Sequence, residues 1–178
     1  MKKLILLFLF LSPTRAFCDQ QLKNSLWGIA ADRAGINVAT LYSMAVQESG
    51  MRWEDGTYRP WPWTLNINDG KNIVKKGPRR YQTREEMIIA LNQFTTNGVR
   101  NIDIGLMQVN LIWHGDKVRN AIDLVDPATN IAVAAEYIKG MKQKDVSRKV
   151  SDYHSPTNRE RGMRYVNKVK RFEDYFSE

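Results

Sequence analysis

Val38, Leu41, Met44 and Ala45 recur at helical spacing, and Glu48 follows them at i+10, i+7, i+4 and i+3, on the same face. A chain with this pattern must turn that face toward its interior, so an acidic side chain is carried inward at the end of an apolar helix. Gly50 reads as the stop, which predicts a helix over Val38–Ser49 with Glu48 in its last turn. There the negative end of the helix dipole disfavours ionisation, and burial pushes the carboxyl pKa upward as well. A glutamic acid kept protonated near neutrality can give its proton to a leaving oxygen, as a general acid does in glycosidic cleavage.

The beginning of the 178-residue chain has the three parts of a secretory signal. These are Lys2 and Lys3, an apolar run from Leu4 to Leu11, and a polar region ending Ala16-Phe17-Cys18. The pattern predicts a signal peptide over 1–18, a mature domain over 19–178 and export to the periplasm. Its apolar run is far shorter than the roughly 20 residues of a membrane span, and no other segment comes close, so no span is expected after signal removal. Arg15 and Phe17 stand where a lipobox prefers an aliphatic and a small residue, so Cys18 is expected to leave with the signal. The mature chain then has no cysteine, and its roughly 160 residues must be held by one hydrophobic core, an adequate size for a single domain and an expected monomer. Formal charge is +8; removing Lys2, Lys3 and Arg15 from 27 basic residues leaves 24 against 19 acidic ones. Such an excess favours polyanions, among them the cell wall, membrane surfaces and extracellular DNA, without choosing between them.

Gln20 to Ala34 is amphipathic, with Leu22, Leu26, Ile29 and Ala30 on one face, and Gly35 separates it from the Glu48 helix. From about residue 51 to 80 the helical period disappears into Trp53, Tyr58, Trp61-Pro62-Trp63, an alternating Thr64-Leu65-Asn66-Ile67-Asn68 and the turn dipeptide Asp69-Gly70, which predicts a loop with a small hairpin. Thr83 and Glu86 form a capping box before a helix through Met87, Ala90, Leu91 and Phe94 that stops at Asn97-Gly98. Asn101 to Ile112 reads as a turn around Gly105-Leu106-Met107-Gln108 followed by a short helix. Asp126 as N-cap and Pro127 at N1 open a further helix with Ile131, Ala134, Ala135, Ile138 and Met141 inward. The last helix, Asn158 to about Phe176, sets Tyr165, Val169, Phe172 and Phe176 inward and Arg159, Arg161, Arg164, Lys168 and Arg171 outward.

Five elements in chain order carry a resemblance: Ala45-Val46-Gln47-Glu48-Ser49-Gly50, Asp103-Ile104-Gly105-Leu106-Met107-Gln108-Val109-Asn110, Asp126-Pro127 with Asn130, Tyr153-His154-Ser155, and Tyr165-Val166. In this order they resemble the motifs of the lytic transglycosylases, the soluble lytic murein transglycosylase family with a goose-lysozyme-like fold. The resemblance runs from about Leu22 to about Phe172, interrupted by the insert at about 51–80. It implies a mainly α, lysozyme-like helical domain with a small β-hairpin insert. The insert, including Pro60-Trp61-Pro62-Trp63-Thr64-Leu65-Asn66, and the form Tyr153-His154-Ser155-Pro156 are similar to family members that accompany conjugation and secretion machines.

The resemblance puts the family's catalytic acid on Glu48 and has Ser49 hydrogen-bond toward the substrate or steady the carboxyl. Gly105, Met107 and Gln108 match the second motif, where the glycine lets the backbone approach the sugar and the glutamine supplies amide contacts. Tyr153 matches the third-motif tyrosine; relatives follow it with asparagine, and here His154 stands at that substrate-facing position. Tyr165 matches a late tyrosine near the carboxyl, and Asn130 a structural asparagine. The implied reaction needs one carboxyl and no cofactor. Glu48 protonates the oxygen linking N-acetylmuramic acid to N-acetylglucosamine, then as a base takes the C6 hydroxyl proton while that oxygen closes a 1,6-anhydro ring on C1. The implied partners are peptidoglycan glycan strands and an envelope secretion or conjugation complex.

Two alternatives stay open at this level. A hydrolysing muramidase needs a second carboxylate roughly 5 to 9.5 Å away; Asp103 is the foremost candidate, before Asp55 and Asp69, each against a plainer reading as a cap or turn residue. A noncatalytic wall-binding adaptor needs no proton donor at all. Trp63, with Trp61, reads either as an indole platform for a pyranose ring or as a plug beneath the insert, whereas Trp53 and Trp113 lean toward the core. His114 and His154 are the only histidines and, without mature cysteine, make no ligand set of metal-site spacing, so no metal is expected. No glycine-rich phosphate loop or serine elbow occurs. The basic last helix reads as a solvated face opposite an acidic wall, and nucleic acid is not expected as a partner.

Overall fold

The computed structural model describes residues 20–177; the signal-like segment 1–18 with Cys18, as well as Asp19 and Glu178, lies outside the described residues. Helices hold more than half of the described residues, so the mainly α class holds. The expected first helix is in two pieces. Residues 20–23 are helical, then Ser25 restarts the chain as N-cap of α1 (Leu26–Ala34), its hydroxyl accepting from the Trp27 amide at 3.1 Å and donating to the Leu22 carbonyl at 2.6 Å. This cap redirects the helix: Leu26 and Ile29 are 53% and 68% exposed, and the inner face is made of Gly28, Ala30, Ala31 and Ala34. Small side chains there let α1 lie close against α5 (Pro127–Lys139).

Helix α2 (Val38–Ser49) follows its sequence pattern, with Asn37 as N-cap and Val38, Leu41, Met44 and Ala45 buried. The following segment holds more sheet than expected. Strands β1 (Gly50–Arg52) and β2 (Tyr58–Pro60) form one antiparallel hairpin, and β3 (Thr64–Ile67) pairs with β4 (Gly77–Arg80) in a second. Strand β3 also pairs with β5 (Ile102–Ile104), which pairs with β6 (Val109–Asn110), giving a four-stranded antiparallel sheet of order β4-β3-β5-β6. Thus Gly105-Leu106-Met107-Gln108 is a hairpin turn, and the insert is built into the same sheet rather than appended to it. Three residues of Ile-Asp-Ile carry too short an alternation to read as a strand alone. Leu65, Ile67, Ile102 and Ile104, all at most 1% exposed, make the sheet one-sided, with Asn66 and Asp103 on its other face.

Helix α3 (Arg84–Thr96) closes the expected capping box at Thr83 and Glu86 and buries Met87 and Leu91. A single turn, α4 (Leu111–His114), and two 3-10 turns, Gly115–Lys117 and Ala121–Val125, lead to α5, capped by Asp126 with Pro127 at its start. Two further helices, α6 (Val146–His154) and α7 (Arg159–Ser177), complete the chain. Helix α6 was not anticipated as a helix, although Asp145 caps it and Val146, Val150 and Tyr153 fall at helical spacing. It crosses α7 where Gly162 has no side chain: a Cβ there would meet the Ser151 hydroxyl at 2.1 Å. On α7, Tyr165 and Val169 are buried and the five basic residues are exposed, as the period predicted.

The core runs from α2 through the inner sheet face to α3, α5 and the Gly105–Gln108 turn, with Leu41, Met44, Met87, Leu91, Met107, Leu124 and Ile138 at most 1% exposed. Each such side chain contributes about 1.5–3 kcal/mol by leaving water. Trp113, expected in the core, is 73% exposed on the short α4. Trp53 stays on the β1–β2 hairpin, half-buried, edge-on to Trp61 at 4.9 Å and covered by the Arg59 guanidinium. No helix among the described residues is long and apolar enough to cross a membrane.

Candidate active site

Carbonyls at the C-terminal end of α2 have no helical donors of their own, and the insert supplies them. The Ser49 carbonyl accepts from the Trp61 amide at 3.1 Å, and the Gly50 carbonyl accepts from the Tyr58 hydroxyl and Arg80 Nη2, both at 2.9 Å. The Ser49 hydroxyl donates toward the Leu106 carbonyl at 2.8 Å and the Ala45 carbonyl at 3.1 Å. Ser49 is completely buried, so its expected role toward substrate is corrected to a clamp between the end of α2 and the β5–β6 turn.

That turn is held by Asn130 of α5. Its amide nitrogen donates to the Ile104 and Leu124 carbonyls at 2.8 and 2.9 Å, and its oxygen accepts from the Met107 amide at 2.9 Å. The structural role expected for Asn130 is what the bonds describe. Gly105 has φ 77°, and a Cβ on it would come within 2.6 Å of the Asn130 amide nitrogen. The glycine is therefore required by Asn130, and the expected approach of this backbone to a sugar is corrected to packing inside the protein. Met107 is also corrected: its side chain is fully buried, and its carbonyl accepts from the Tyr153 hydroxyl at 2.7 Å. Gln108 remains half-buried in a left-handed conformation, φ 48°, its amide donating to the Gly105 and Thr64 carbonyls at 2.8 and 3.2 Å. These bonds offset the strain of that backbone and leave the side-chain oxygen as its unspent group.

These clamps fix the carboxyl of Glu48, whose side chain keeps 15% of its surface exposed. Burial raises its pKa from 4.5 to about 7, and the negative charge of Asp103 pushes the same way. Tyr165 opposes them: its phenol lies beside the carboxyl and favours the ionised form, but closes no hydrogen bond of normal length and has no other partner. Burial, then the Glu48 charge, holds the Tyr153 and Tyr165 hydroxyls well above their usual range, so both are proton-bearing donors at neutral pH.

His154 is the fourth member of the group. Its ring stacks on Tyr165, centroids 4.5 Å apart and planes within 3°, and its Nδ1 lies 3.9 Å from Glu48 Oε1. Arg161 Nε donates to His154 Nε2 at 3.4 Å, which assigns the neutral ring's proton to Nδ1, on the side of Glu48. Burial, Arg161 and Lys168 all lower the His154 pKa, with Asp103 acting in the opposite sense. Glu48, Asp103, Arg161, Lys168 and Tyr165 are the ionisable groups around it. An NMR titration should accordingly place its midpoint below 6.5, and Arg161→Gln should move that midpoint upward by removing a facing cation; an unmoved midpoint would separate Arg161 from the site.

Asp103 is neither a cap nor a turn residue. It sits on β5, where Oδ2 accepts from Asn66 and Asn68 at 3.0 and 2.8 Å and Oδ1 accepts from Asn110 at 2.7 Å. Asp55 and Asp69 are turn residues, bonding the amides two positions on. Trp63 is half-buried and packs against the core, which favours the plug over the sugar platform, and Trp61 Nε1 donates to the Tyr81 carbonyl at 2.8 Å. The α6 and α7 contributions were found in the sequence as motif letters, but the Glu48–His154 approach was not: nothing in the spacing of residues 48 and 154 signals it. Among the described residues no group of three or more His, Cys, Asp or Glu side chains is arranged to hold a metal ion. Searches of protein-family models, curated proteins and solved structures found no match to this chain.

Proposed function

We propose that this chain is a peptidoglycan lytic transglycosylase with a lysozyme-like domain. The observation that carries the reading is a mostly buried carboxyl whose pKa is raised to about 7, in the last turn of a rigid helix, beside two protonated phenols and a neutral imidazole. A group poised near neutrality can act as acid and then as base in one cycle. Glu48 protonates the oxygen between N-acetylmuramic acid and N-acetylglucosamine, and the substrate's own N-acetyl oxygen stabilises the positive charge that develops at C1. The Glu48 carboxylate then takes the proton of the C6 hydroxyl as its oxygen bonds to C1, leaving a 1,6-anhydro end. Every proton is accounted for: Glu48 loses one to the leaving oxygen and regains one from C6. Tyr165 and the Nδ1 proton of His154 are the donors available to the transient carboxylate, and Gln108 has an amide oxygen left for a sugar hydroxyl.

The signal-like segment 1–18 supports a periplasmic location, and the Trp-rich insert with Tyr153-His154-Ser155-Pro156 supports local wall opening for a conjugation or secretion channel. Hydrolysis with Asp103 as the second carboxylate is the second reading, favoured by the charge it exerts on Glu48. Against it stand three amide donors on the Asp103 oxygens, which leave that carboxylate committed to the sheet face. Mass spectrometry of digested sacculi decides between them: anhydro ends are expected, dominant reducing ends would replace the first reading by the second, and undigested sacculi would leave a wall-binding adaptor.

A further inference from the structure

The surface opens into a groove of about 520 Å³ between the C-terminal half of α7, Gln47 of α2 and the β1–β2 hairpin. Arg52, Lys168 and Arg171 border it, all exposed, and no acidic residue lines it. None of the three takes part in an ion pair among the described residues; Arg52 only donates to the Gly56 carbonyl at 3.3 Å. Its apolar floor is a stack of Tyr58 on Phe172, centroids 6.1 Å apart and planes within 6°, and Tyr175 stands 70% exposed at the rim. Unpaired cations bordering an aromatic floor suit a ligand that is anionic and partly aliphatic.

Position narrows the ligand further. Tyr58, which lines the groove, donates at 2.9 Å to the carbonyl of Gly50, two residues after Glu48, and Lys168 is near enough to His154 to lower its pKa. Along α7, Lys168 lies about 4.5 Å and Arg171 about 9 Å beyond Tyr165, by the rise of a helix. An extended peptide advances about 3.3 Å per residue, so two or three residues match the rise along α7 from Tyr165 to Arg171. We propose that this groove binds the acidic peptide stem carried by the muramic acid of the strand being cut, its carboxylates on Arg52 and Arg171 and its aliphatic parts on Tyr58 and Phe172. The inference rests on the wall-cutting reading and adds to it a preference for peptide-bearing over naked glycan.

The test uses the full mature protein and the charge reversals Arg52→Glu and Arg171→Glu together, both on the surface and outside the catalytic group. With peptide-bearing strands KM should rise about tenfold or more, while with strands stripped of stems by an amidase kcat and KM should stay as in the parent. In parallel, a synthetic acidic stem tripeptide should shift the NMR signals of Tyr58 and Tyr175 in the parent and not in the double variant. Equal kinetics on both substrates, no tripeptide binding, or arginine-dependent binding of anionic lipid vesicles or duplex DNA without tripeptide binding would each overturn the proposal. Should the parent cut neither substrate yet bind the tripeptide through the two arginines, the groove assignment stands and the cleavage reading falls.

Discussion

Glu48→Gln is expected to lower glycan cleavage by about 10³-fold or more while sacculus binding persists, because glutamine keeps the shape of the acid and cannot give up a proton. The same substitution has a second effect that does not depend on what the protein cuts. The folded pKa of Glu48, about 7, lies above its ordinary 4.5, so the fold favours the protonated form. Stability contributed by this group is fully present below pH 4.5 and is lost as pH rises through 7. At pH 8 the cost of the buried carboxylate approaches about 3 kcal/mol, and glutamine avoids it. Urea denaturation should find Glu48→Gln more stable than the parent at pH 8 and nearly equal to it at pH 4. A variant less stable than the parent at pH 8 would mean that Glu48 is ionised and well solvated or paired, and the proton donor would be lost with that result.

Asn130→Ala is expected to cost about 4 kcal/mol of stability, the largest loss from any single polar residue at the site. Its side chain makes three hydrogen bonds in a fully buried position, and alanine leaves two carbonyls and one amide there without partners. The loss also travels to the carboxyl. Met107 and Leu106, which hold Tyr153 and Ser49 by their carbonyls, belong to the turn that Asn130 fixes. Cleavage measured where the variant is still folded should therefore fall too, through kcat more than KM, since the groups that orient Glu48 move while the groove toward α7 stays. Asn130→Asp should not rescue it, because a carboxylate cannot donate to Ile104 and Leu124. A stability loss of about 1 kcal/mol or less, or an unchanged kcat, would show that the turn is held by the sheet alone.

The helices with their own start or stop signals were legible: Gly50 after α2, Thr83 with Glu86 at α3, Asp126-Pro127 at α5. Their apolar periods also named most of the residues found inside. Where the reading erred, hydrogen bonds that the apolar period does not register decided. Ser25 broke the first helix by capping from within, so Leu26 and Ile29 turned outward. The turn at Gly105–Gln108 and the short helix after it are present, but the flanking strands β5 and β6 were not read, because a two- or three-residue strand becomes one only through its neighbours, β3 above all. At the site, Glu48, Tyr153, His154 and Tyr165 could be named from sequence and do converge. Ser49, Gly105 and Met107 could be named as well, but their work is inside the protein, where buried donors and acceptors must find one another.

Residue order alone determined that a carboxyl would ride inward on the last turn of an apolar helix, since helical spacing and a following glycine are local facts of the chain. It also determined the cap and proline positions that limit the other helices. Only the tertiary structure decided the protonation of that carboxyl and its company. The burial, the Asp103 charge and the Tyr165 phenol that set its pKa come from three different elements, and His154 and the basic groove come from α6 and α7. Electrostatic energies depend on distance and on excluded water, and neither quantity exists until elements far apart in sequence have packed together.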